Sequence, residues 1–438
     1  MDRAFPLAAY VEAPDPAYSY GPAGALEGEG FTAHFLEMTS QSWRTAAEVD
    51  RPVWRHWLTV IEPEAVVSDI ALLRIGSGRN GDPQPEKPNP VLARIAVATG
   101  TVVAEIRMVP NQPLTFAGDG SGPRTEDALI AFAWDRFLRG GDAGWLPRLP
   151  MTKSAVRAMD TVTAFLAESG RHRPRIRRFV VTGASKRGWT TWTTAAVDSR
   201  VVAIVPMVID LLNLEESFRH HYGAYGFWAP AIQEYVDMGI PDWFGTERMT
   251  ELRRIVDPYE FRERLPMPKL LIHAAGDEFF LPDSSRFYFS DLPGEKHLRC
   301  VPNADHSLGD TDAAETLLAF YRSIVAGAPR PEFSWSFEPD GSIRVRPRGS
   351  ARPAGVRLWQ ATNHRARDFR LESIGEAWTA APLLPEPDGS YAGRVPEPEA
   401  GFTAFFVELT YPGEGEGMLK LTTEVRVVPD ILPFSFPP

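Results

Sequence analysis

The 438-residue sequence predicts an α/β protein: a doubly wound, largely parallel sheet followed by an all-β domain. Up to about residue 329, strand-like apolar runs alternate with helical segments, as in doubly wound sheets. Beyond that point, short alternating runs are separated by turn signals, a pattern typical of β-sandwiches. The length also favours two domains, because single cores stop growing at roughly 250–300 residues. We therefore expect domains at 1–329 and 330–438, the second a β-sandwich of immunoglobulin-like type.

Composition limits the partners. With 46 basic and 57 acidic residues the formal net charge is −11, which argues against a nucleic-acid or anionic-membrane surface and favours a small-molecule, peptide or glycan-linked substrate. No apolar run reaches the ~18 residues of a membrane span, and the first residues lack the pattern of a signal peptide. We expect no membrane span and a cytoplasmic location, or a periplasmic or secreted one if a signal was removed. The one cysteine, Cys300, excludes an intrachain disulfide and is expected to be buried.

The elements of the first domain follow from changes in hydrophobic period. Two strands near the start should be antiparallel, and the strand–helix–strand run after them should pair in parallel. The predicted strands are 33–35, 57–60, 70–75, 101–108, 179–182, 201–209, 269–275 and 297–301. The predicted helices are 90–98, 126–138, 153–168, 187–198 and 311–325. Residues 210–266 interrupt this alternation with aromatic, helix-like sequence and are predicted to form a cap insertion. In the second domain, strands are predicted at 342–346, 356–359, 404–409 and 423–427.

The segment VVTGASKRGW, residues 180–189, carries the strongest chemical signal. A phosphate loop requires a glycine, four residues and then Gly-Lys-Ser or Gly-Lys-Thr. Here Gly183 and Gly188 have the required spacing, but Trp189 stands where the lysine is needed, so that alternative fails. A nucleophile elbow requires a strand, a sharp turn with small neighbours, and a helix whose N-terminus faces the oxyanion, and Ser185 has all of these. The second glycine comes three residues after Ser185 instead of two, which leaves a structural turn as the alternative.

The remaining members of a catalytic triad follow in the chain order of α/β-hydrolases, serine then acid then histidine. A serine hydroxyl needs an imidazole to take its proton, and the imidazole needs a carboxylate to fix its tautomer. Asp277 follows one predicted strand and His306 follows the next. Glu278 and Asp283 are alternative acids. Asp305 is expected to shape the loop of His306.

The oxyanion of an acyl-transfer reaction needs two backbone N–H donors. Lys186, the residue after the serine, supplies the first candidate. The Gly76–Gly81 loop, with Ser77 and Gly78, supplies the second, because glycines let the backbone approach a substrate. A flexible loop is the alternative interpretation. This chemistry requires no cofactor.

Other polar and aromatic residues of the insertion have weaker assignments. His220 and His221 with Glu216 resemble part of a metal site, but a third ligand is missing, so a structural role is favoured and no metal is expected. Glu215 and Glu216 could recognise an amine, although a solvated helix face explains them better. Aromatic residues here are usually core, yet His221, Tyr225 and Trp228 could line a substrate pocket.

The sequence resembles the PhoPQ-activated pathogenicity-related protein family. The resemblance rests on blocks at residues 38–43 (MTSQSW), 109–113 (VPNQP), 124–127 (RTED), 149–154 (LPMTKS), 183–190 (GASKRGWT), 276–283 (GDEFFLPD) and 301–307 (VPNADHS). It implies an α/β-hydrolase fold and Ser185, Asp277 and His306 as the triad. The family name records regulation in bacterial virulence and fixes no reaction, and members are often exported.

We expect a serine hydrolase that cleaves an amide, peptide or ester. The segment from Asp277 to Ser285 resembles the acid loop of prolyl-oligopeptidase-type peptidases, whereas the G-x-S-x-x-G elbow resembles glucuronoyl esterases. Peptide-like amides are slightly favoured, since a cap and an appended sandwich suit an extended substrate. A carbohydrate esterase of glucuronoyl-esterase-like type is one alternative. A non-catalytic binding or signalling protein on the same scaffold is the other.

Overall fold

A computed structural model describes residues 5–168, 174–415 and 417–436. The α-helices are α1 (Pro6–Glu12), α2 (Pro90–Thr99), α3 (Glu126–Leu138), α4 (Arg148–Glu168), α5 (Lys186–Val197), α6 (Leu214–Tyr225), α7 (Gln233–Asp237), α8 (Glu247–Val256), α9 (Ala313–Ala326) and α10 (Leu371–Ile374). The strands are β1 (Ser19–Gly28), β2 (Phe31–Ser42), β3 (Val53–Pro63), β4 (Ile70–Ile75), β5 (Val103–Ile106), β6 (Arg178–Ala184), β7 (Val201–Met207), β8 (Lys269–Ala274), β9 (Lys296–Val301), β10 (Glu332–Phe337), β11 (Ile343–Arg348), β12 (Gly355–Asn363), β13 (Thr379–Pro382), β14 (Tyr391–Gly393), β15 (Phe402–Pro412), β16 (Met418–Thr422) and β17 (Arg426–Val428).

The chain forms two compact units. The first comprises Met1–Pro206 and Glu234–Pro268, and the second comprises Met207–Gln233 and Lys269–Pro438. The predicted cap insertion at 210–266 is therefore divided between the units. The predicted domain boundary at residue 330 stays a prediction.

The sheet of the first unit runs in the order β1-β2-β3-β5-β4-β6-β7. Its first strands pair antiparallel, whereas β4 is parallel to both β5 and β6. Both directions confirm the sequence prediction. Every residue of β4 except Arg74 is buried, as expected for a central strand covered on both faces. The sheet therefore fixes the end of β6, where the elbow begins.

Local sequence explains where two helices of the first unit begin or end. Helix α2 starts at Pro90, with the Asn89 side chain accepting bonds from the N–H groups of Val91 and Leu92, and ends at Gly100 with φ 59°. Helix α4 was predicted to begin at residue 153 but begins at Arg148. Pro150 therefore lies in its first turn, where a missing N–H costs no helical bond.

The second unit contains two sheets. In the larger one, strands β8 and β9 are parallel, and β9 is followed in order by β16, β15, β12 and β13, with β17 paired to β15. The second sheet is β10-β11-β14. Both sheets contribute to one apolar cluster, which includes Ile343, Val345, Leu358, Phe405 and Val407. The C-terminal strands are thus continuous with the strand that precedes His306, because β16 pairs with β9.

The last predicted strand, at 423–427, is wrong at its start. Only Arg426–Val428 form β17, and Thr423 lies between β16 and β17. Its hydroxyl accepts a bond from the Val407 N–H at 3.1 Å, so a side chain replaces the backbone partner of a regular ladder.

Burial of Cys300 is confirmed, since the residue is 6% exposed within an apolar cluster. Among the helices that the structure describes, none has the length and apolar character needed to cross a membrane.

Candidate active site

Ser185 occupies a tight turn between β6 and α5. Its backbone has φ 57° and ψ −128°, which a residue with a side chain adopts only where the surrounding structure holds it. Its carbonyl accepts the first helical bond, from the Trp189 N–H at 3.0 Å. The hydroxyl-bearing residue therefore sits at the carboxyl end of a strand and at the N-terminus of a helix, whose dipole favours negative charge.

The glycines around Ser185 have different roles. A Cβ at Gly183 would lie 2.6 Å from the Arg187 carbonyl oxygen, so the turn requires glycine at that position. Gly188 lies inside α5 and is buried. The three-residue spacing of G-x-S-x-x-G is compatible with a sharp turn because the second glycine belongs to the helix and not to the turn.

A cluster of charged side chains lies around the start of α5. The Lys186 ammonium is 2.9 Å from a Glu126 oxygen and 3.0 Å from an Asp127 oxygen. The Arg187 guanidinium donates to both Glu126 oxygens, at 2.8 and 2.6 Å. Arg148 donates to the Lys186 carbonyl at 2.8 Å. Desolvation would raise the pKa of Glu126, but the bonds from Arg187 and the charge of Lys186 lower it to about 2, so this carboxylate is ionised.

The Gly76–Gly81 loop is anchored to the segment after β5. The carbonyls of Gly76 and Ser77 accept bonds from the N–H groups of Val109 and Met108, at 3.2 and 3.1 Å. In a trans peptide the N–H points opposite to the carbonyl, so the N–H groups of Ser77 and Gly78 point away from that segment. Gly78 has φ 151°, and a Cβ there would lie 3.1 Å from the Met108 nitrogen. The loop has a defined backbone orientation.

Asp277 and His306 lie together in the second unit. The Nδ1 of His306 is 2.8 and 3.0 Å from the two carboxylate oxygens of Asp277, which is 3% exposed. The Phe279 N–H also donates to Asp277, at 2.8 Å. The Phe279 ring lies 4.3 Å from the imidazole, centroid to centroid. Asp277 thus favours the tautomer that carries a proton on Nδ1 and leaves Nε2 as the base.

The two alternative acids have other partners. A Glu278 oxygen accepts the backbone N–H of His306 at 3.1 Å, so Glu278 holds the backbone of the histidine loop. Asp283 is buried and contacts His220 at 3.0 Å and Arg367 at 2.6 Å. Desolvation opposes its ionisation, but the charges of His220 and Arg367 hold the pKa of Asp283 well below its usual range. The predicted pairing of Asp277 with the imidazole is the one present in the structure.

The three residues assigned to a substrate pocket lie close to one another. His221 is 4.7 Å from Tyr225 and 5.8 Å from Trp228, ring to ring. The Nε2 of His221 accepts the Ala229 N–H at 3.1 Å, and desolvation lowers the pKa of His221 to about 3, so its imidazole is neutral. His221 and Tyr225 are buried, whereas Trp228 is partly exposed. Only part of this aromatic cluster reaches the surface.

The acidic and histidine residues of α6 form no metal site among the described residues, where no group of three metal-ligating side chains occurs. Glu216 is exposed, as predicted for a solvated helix face, but Glu215 is 8% exposed. The prediction of a solvated face is wrong for Glu215, because the first turn of α6 is buried at that position.

A family model described as PhoPQ-activated pathogenicity-related protein matches residues 7–370. The chain belongs to this family. One relative, autocrine proliferation repressor protein A of Dictyostelium discoideum, is 37% identical to this chain over 98% of this chain and 92% of its own length. The predicted family is therefore confirmed.

Two solved structures resemble the PhoPQ-related chain in fold. Acetyl xylan esterase 1 from Thermoanaerobacterium sp. has a TM-score of 0.50 at 18% identity, over 73% of this chain and 91% of the other. An acetyl xylan esterase from Paenibacillus sp. has a TM-score of 0.52 at 14% identity, over 73% and 92%. At such identities the likeness establishes the α/β-hydrolase fold and nothing further about this family member.

The charged partners of the elbow, Glu126 and Asp127, were not among the predicted site residues. Glu126 and Asp127 precede Lys186 by about 60 residues, and the RTED block marks them as part of the family resemblance without assigning them a partner; by pattern they are ordinary acidic residues in a first helical turn. The other available signal was the pair of adjacent cations after Ser185. Two positive charges at the start of a helix oppose its dipole and therefore call for buried acidic partners.

Proposed function

We propose that this protein is a serine esterase that acts through an acyl-enzyme intermediate formed on Ser185. The backbone of Ser185 carries the proposal, because a strained turn between a strand and a helix N-terminus is the geometry of a nucleophile elbow. The buried contact of Asp277 with His306 supports it. Ser185 belongs to the first unit and the Asp277–His306 pair to the second, and the proposal is that the three form a triad.

In the first half-reaction, His306 Nε2 removes the Ser185 hydroxyl proton while Oγ attacks the ester carbonyl. Asp277 orients the imidazole through Nδ1–H and stabilises the imidazolium that forms. The N–H groups of Lys186 and of the Ser77–Gly78 loop stabilise the negative oxygen of the tetrahedral intermediate. His306 then gives its proton to the departing alkoxide, and an alcohol leaves.

In the second half-reaction, a water molecule repeats the sequence. His306 takes one water proton while the resulting hydroxide attacks the acyl-Ser185 carbonyl. The tetrahedral intermediate then collapses to a carboxylic acid, and His306 gives its proton to the departing Ser185 Oγ, which restores the free serine and the neutral imidazole. No metal or redox group takes part in these steps.

We propose an ester in place of the peptide bond that the sequence analysis slightly favoured. The fold neighbours named above are acetyl xylan esterases, which favours an ester carried by a sugar. Within the cluster of His221, Tyr225 and Trp228, the partly exposed Trp228 would contact one face of that substrate, since an aromatic ring offers a flat apolar surface with a polar edge. A glucuronoyl ester remains the alternative within the same reaction class.

We also propose that residues 330–438 form a β-sandwich of immunoglobulin-like type and that 210–266 cap the hydrolase domain of residues 1–329. The shared apolar cluster of β11, β12 and β15 supports a two-sheet arrangement. The sandwich would extend the surface available to a polymeric substrate. Limited proteolysis that cuts first within 326–331 would support the boundary, whereas a first cut elsewhere would contradict it.

The test is hydrolysis of p-nitrophenyl acetate, an acetylated xylo-oligosaccharide, a methyl glucuronate ester and a peptide p-nitroanilide. Ser185→Ala should lose at least about 10³-fold of the ester activity, and the exposed control Ser350→Ala should retain it. Ester cleavage without peptide cleavage supports the proposal. Peptide cleavage alone would restore the peptidase interpretation, and activity unchanged in Ser185→Ala would refute the mechanism.

A second candidate is a signalling protein on a hydrolase scaffold. The observation that favours it is the name of the 37% identical relative, a proliferation repressor. A folded wild-type protein that hydrolyses none of these substrates, yet binds cells or a protein partner equally well as Ser185→Ala, would support this function over the esterase.

A further inference from the structure

The charged cluster at the elbow also reaches the Gly76–Gly81 loop through Gln112. The Nε2 group of Gln112 donates to the Gly78 carbonyl at 3.2 Å and to a Glu126 oxygen at 2.5 Å. Its Oε1 accepts the Glu126 N–H at 2.7 Å. Gln112 is 3% exposed, so these bonds compete little with water. One buried amide thus joins the loop to Glu126.

Glu126 in turn holds the first residues of α5. Its carboxylate binds the Lys186 ammonium and both terminal nitrogens of Arg187. Arg187 also donates from Nε to the Val109 carbonyl at 2.6 Å, and the Val109 N–H holds the Gly76 carbonyl. Two bonded routes therefore connect the elbow with the loop: one passes through Glu126 and Gln112, and the other passes through Arg187, which Glu126 binds, and Val109.

The backbone of Glu126 is itself strained, with φ 48°. Residues with a side chain rarely occupy this region unless the surroundings require it, and such strain concentrates at functional sites. Here the reciprocal bonds with Gln112 hold the conformation. The strain places the Glu126 carboxylate where it meets both Lys186 and Gln112.

The side chain of Lys186 is engaged within this cluster. Its ammonium is bound by Glu126 and Asp127 and is 7% exposed. Lys186 therefore serves the reaction through its backbone N–H, the first proposed oxyanion donor, while its side chain fixes where that N–H lies. Arg148, bonded to the Lys186 carbonyl, fixes the following peptide.

We propose that Glu126 is a positioning residue that, together with Gln112, sets the separation between the two oxyanion donors, the Lys186 N–H and the Ser77–Gly78 loop. This inference rests on the proposed esterase function and deepens it. Oxyanion donors must be fixed before the reaction begins, and a displacement of about 1 Å can cost about 100-fold in rate. Substrate binding in the ground state depends little on them.

The experiment compares Glu126→Gln, Gln112→Ala and the double variant with wild type, using p-nitrophenyl acetate. Glu126→Gln should lower kcat about 10- to 100-fold with KM changed less than about threefold. Gln112→Ala keeps every ion pair and should also lower kcat, so it tests the link to Gly78 even if Glu126→Gln folds poorly. The double variant should lose less than the product of the two single losses, because both act in one network.

The matched control is Asp119→Asn, which weakens another partly buried ion pair of the first unit, with Arg124 at 2.6 Å. In the described part of the chain no bond joins Asp119 to Lys186 or Gln112. This variant should lower the melting temperature and leave kcat unchanged. Parallel losses of kcat in Asp119→Asn and Glu126→Gln would mean general destabilisation and overturn the inference.

Failure of the inference and failure of the proposed function give different results. An active wild type whose kcat is unchanged in both Glu126→Gln and Gln112→Ala overturns the positioning role and leaves the esterase intact. A folded wild type without Ser185-dependent esterase activity removes the function and the inference together. Loss of kcat with independent, multiplicative effects of the two substitutions would also overturn the shared network.

Discussion

The elbow of the first unit and the acid–histidine pair of the second unit are fixed by different interactions. At the elbow, ion pairs from Glu126 to Lys186 and Arg187 hold the backbone around a strained serine. At the pair, the backbone of His306 is held by Glu278, while Asp277 and the Phe279 ring orient the imidazole. Buried ion pairs thus hold a backbone segment, as the proposed oxyanion donors require, whereas one carboxylate and one aromatic ring orient the imidazole of the proposed base.

The largest expected effect comes from a substitution in the acid–histidine pair of the second unit. Asp277→Asn replaces one carboxylate oxygen with an N–H donor, which favours a deprotonated Nδ1 and a protonated Nε2, so kcat for ester hydrolysis should fall about 10⁴-fold. Glu278→Gln should lower kcat less than about tenfold, because Glu278 accepts only a backbone bond. Steady-state kinetics on both variants check this. Equal losses would contradict the assignment of Asp277 as the orienting acid.

The next largest effect comes from a substitution that disturbs the backbone of the elbow in the first unit. Gly183→Ala places a Cβ 2.6 Å from the Arg187 carbonyl, and relieving that clash should cost about 1–3 kcal/mol of stability. Gly21→Ala, where no atom lies within 4 Å, serves as the control and should change stability by less than about 0.5 kcal/mol. Urea unfolding measures both. A Gly183→Ala protein as stable as the control would show that the elbow tolerates displacement.

A smaller effect compares buried histidines in the two units. Desolvation lowers the pKa of His56 to about 4 in the first unit, and those of His221 and His273 to about 3 in the second. Because these folded-state values lie below the ordinary value near 6.5, the neutral imidazoles favour folding fully above about pH 6.5. Below that pH, the unfolded chain binds protons that the folded chain does not bind.

Stability should therefore fall by up to about 1.4 kcal/mol per pH unit for each group as the pH drops from about 6.5 towards 4 for His56 and towards 3 for the other two. Urea unfolding at several pH values measures this slope. His56→Gln keeps a hydrogen-bond partner for Ser40. It should remove the share of one proton from the slope of unfolding free energy against pH, which is at most about 1.4 kcal/mol per pH unit. A slope that is unchanged in the variant would show that His56 is protonated in the folded protein.

The smallest effect tests the ring against His306. Phe279→Leu removes the aromatic contact at 4.3 Å but keeps an apolar side chain. Since such contacts contribute about 0.5–1.5 kcal/mol, kcat should fall about 2- to 12-fold. The melting temperature provides the control, and a fall in stability without a change in kcat would limit Phe279 to a packing role.

Much of the fold was readable from the sequence because its signals are local. The run from Ile70 to Ile75 and the segment from Glu126 to Leu138 coincide with β4 and α3, and the apolar run before Ser185 with β6. The pairing of β16 with β9 was not readable, because it joins Thr422 to Leu298 across more than 100 residues. Such pairings depend on the folded arrangement and leave no periodic trace.

The candidate site was also predictable in part from the sequence. Sequence order selected Ser185 and His306, but two adjacent carboxylates, Asp277 and Glu278, differ only in where the chain turns after β8. The network of Glu126 and Gln112 was not predictable, since it depends on a positive φ at a residue other than glycine. Local propensity argues against that conformation, and only tertiary bonds stabilise it.

The most direct test of the central claim is the intact mass of the protein after treatment with a fluorophosphonate probe, beside Ser185→Ala. We expect a single phosphonyl adduct on wild type and none on the variant, because only an activated serine attacks the probe at an appreciable rate. An adduct of equal yield on Ser185→Ala, or no adduct on folded wild type that nevertheless hydrolyses esters, would contradict it.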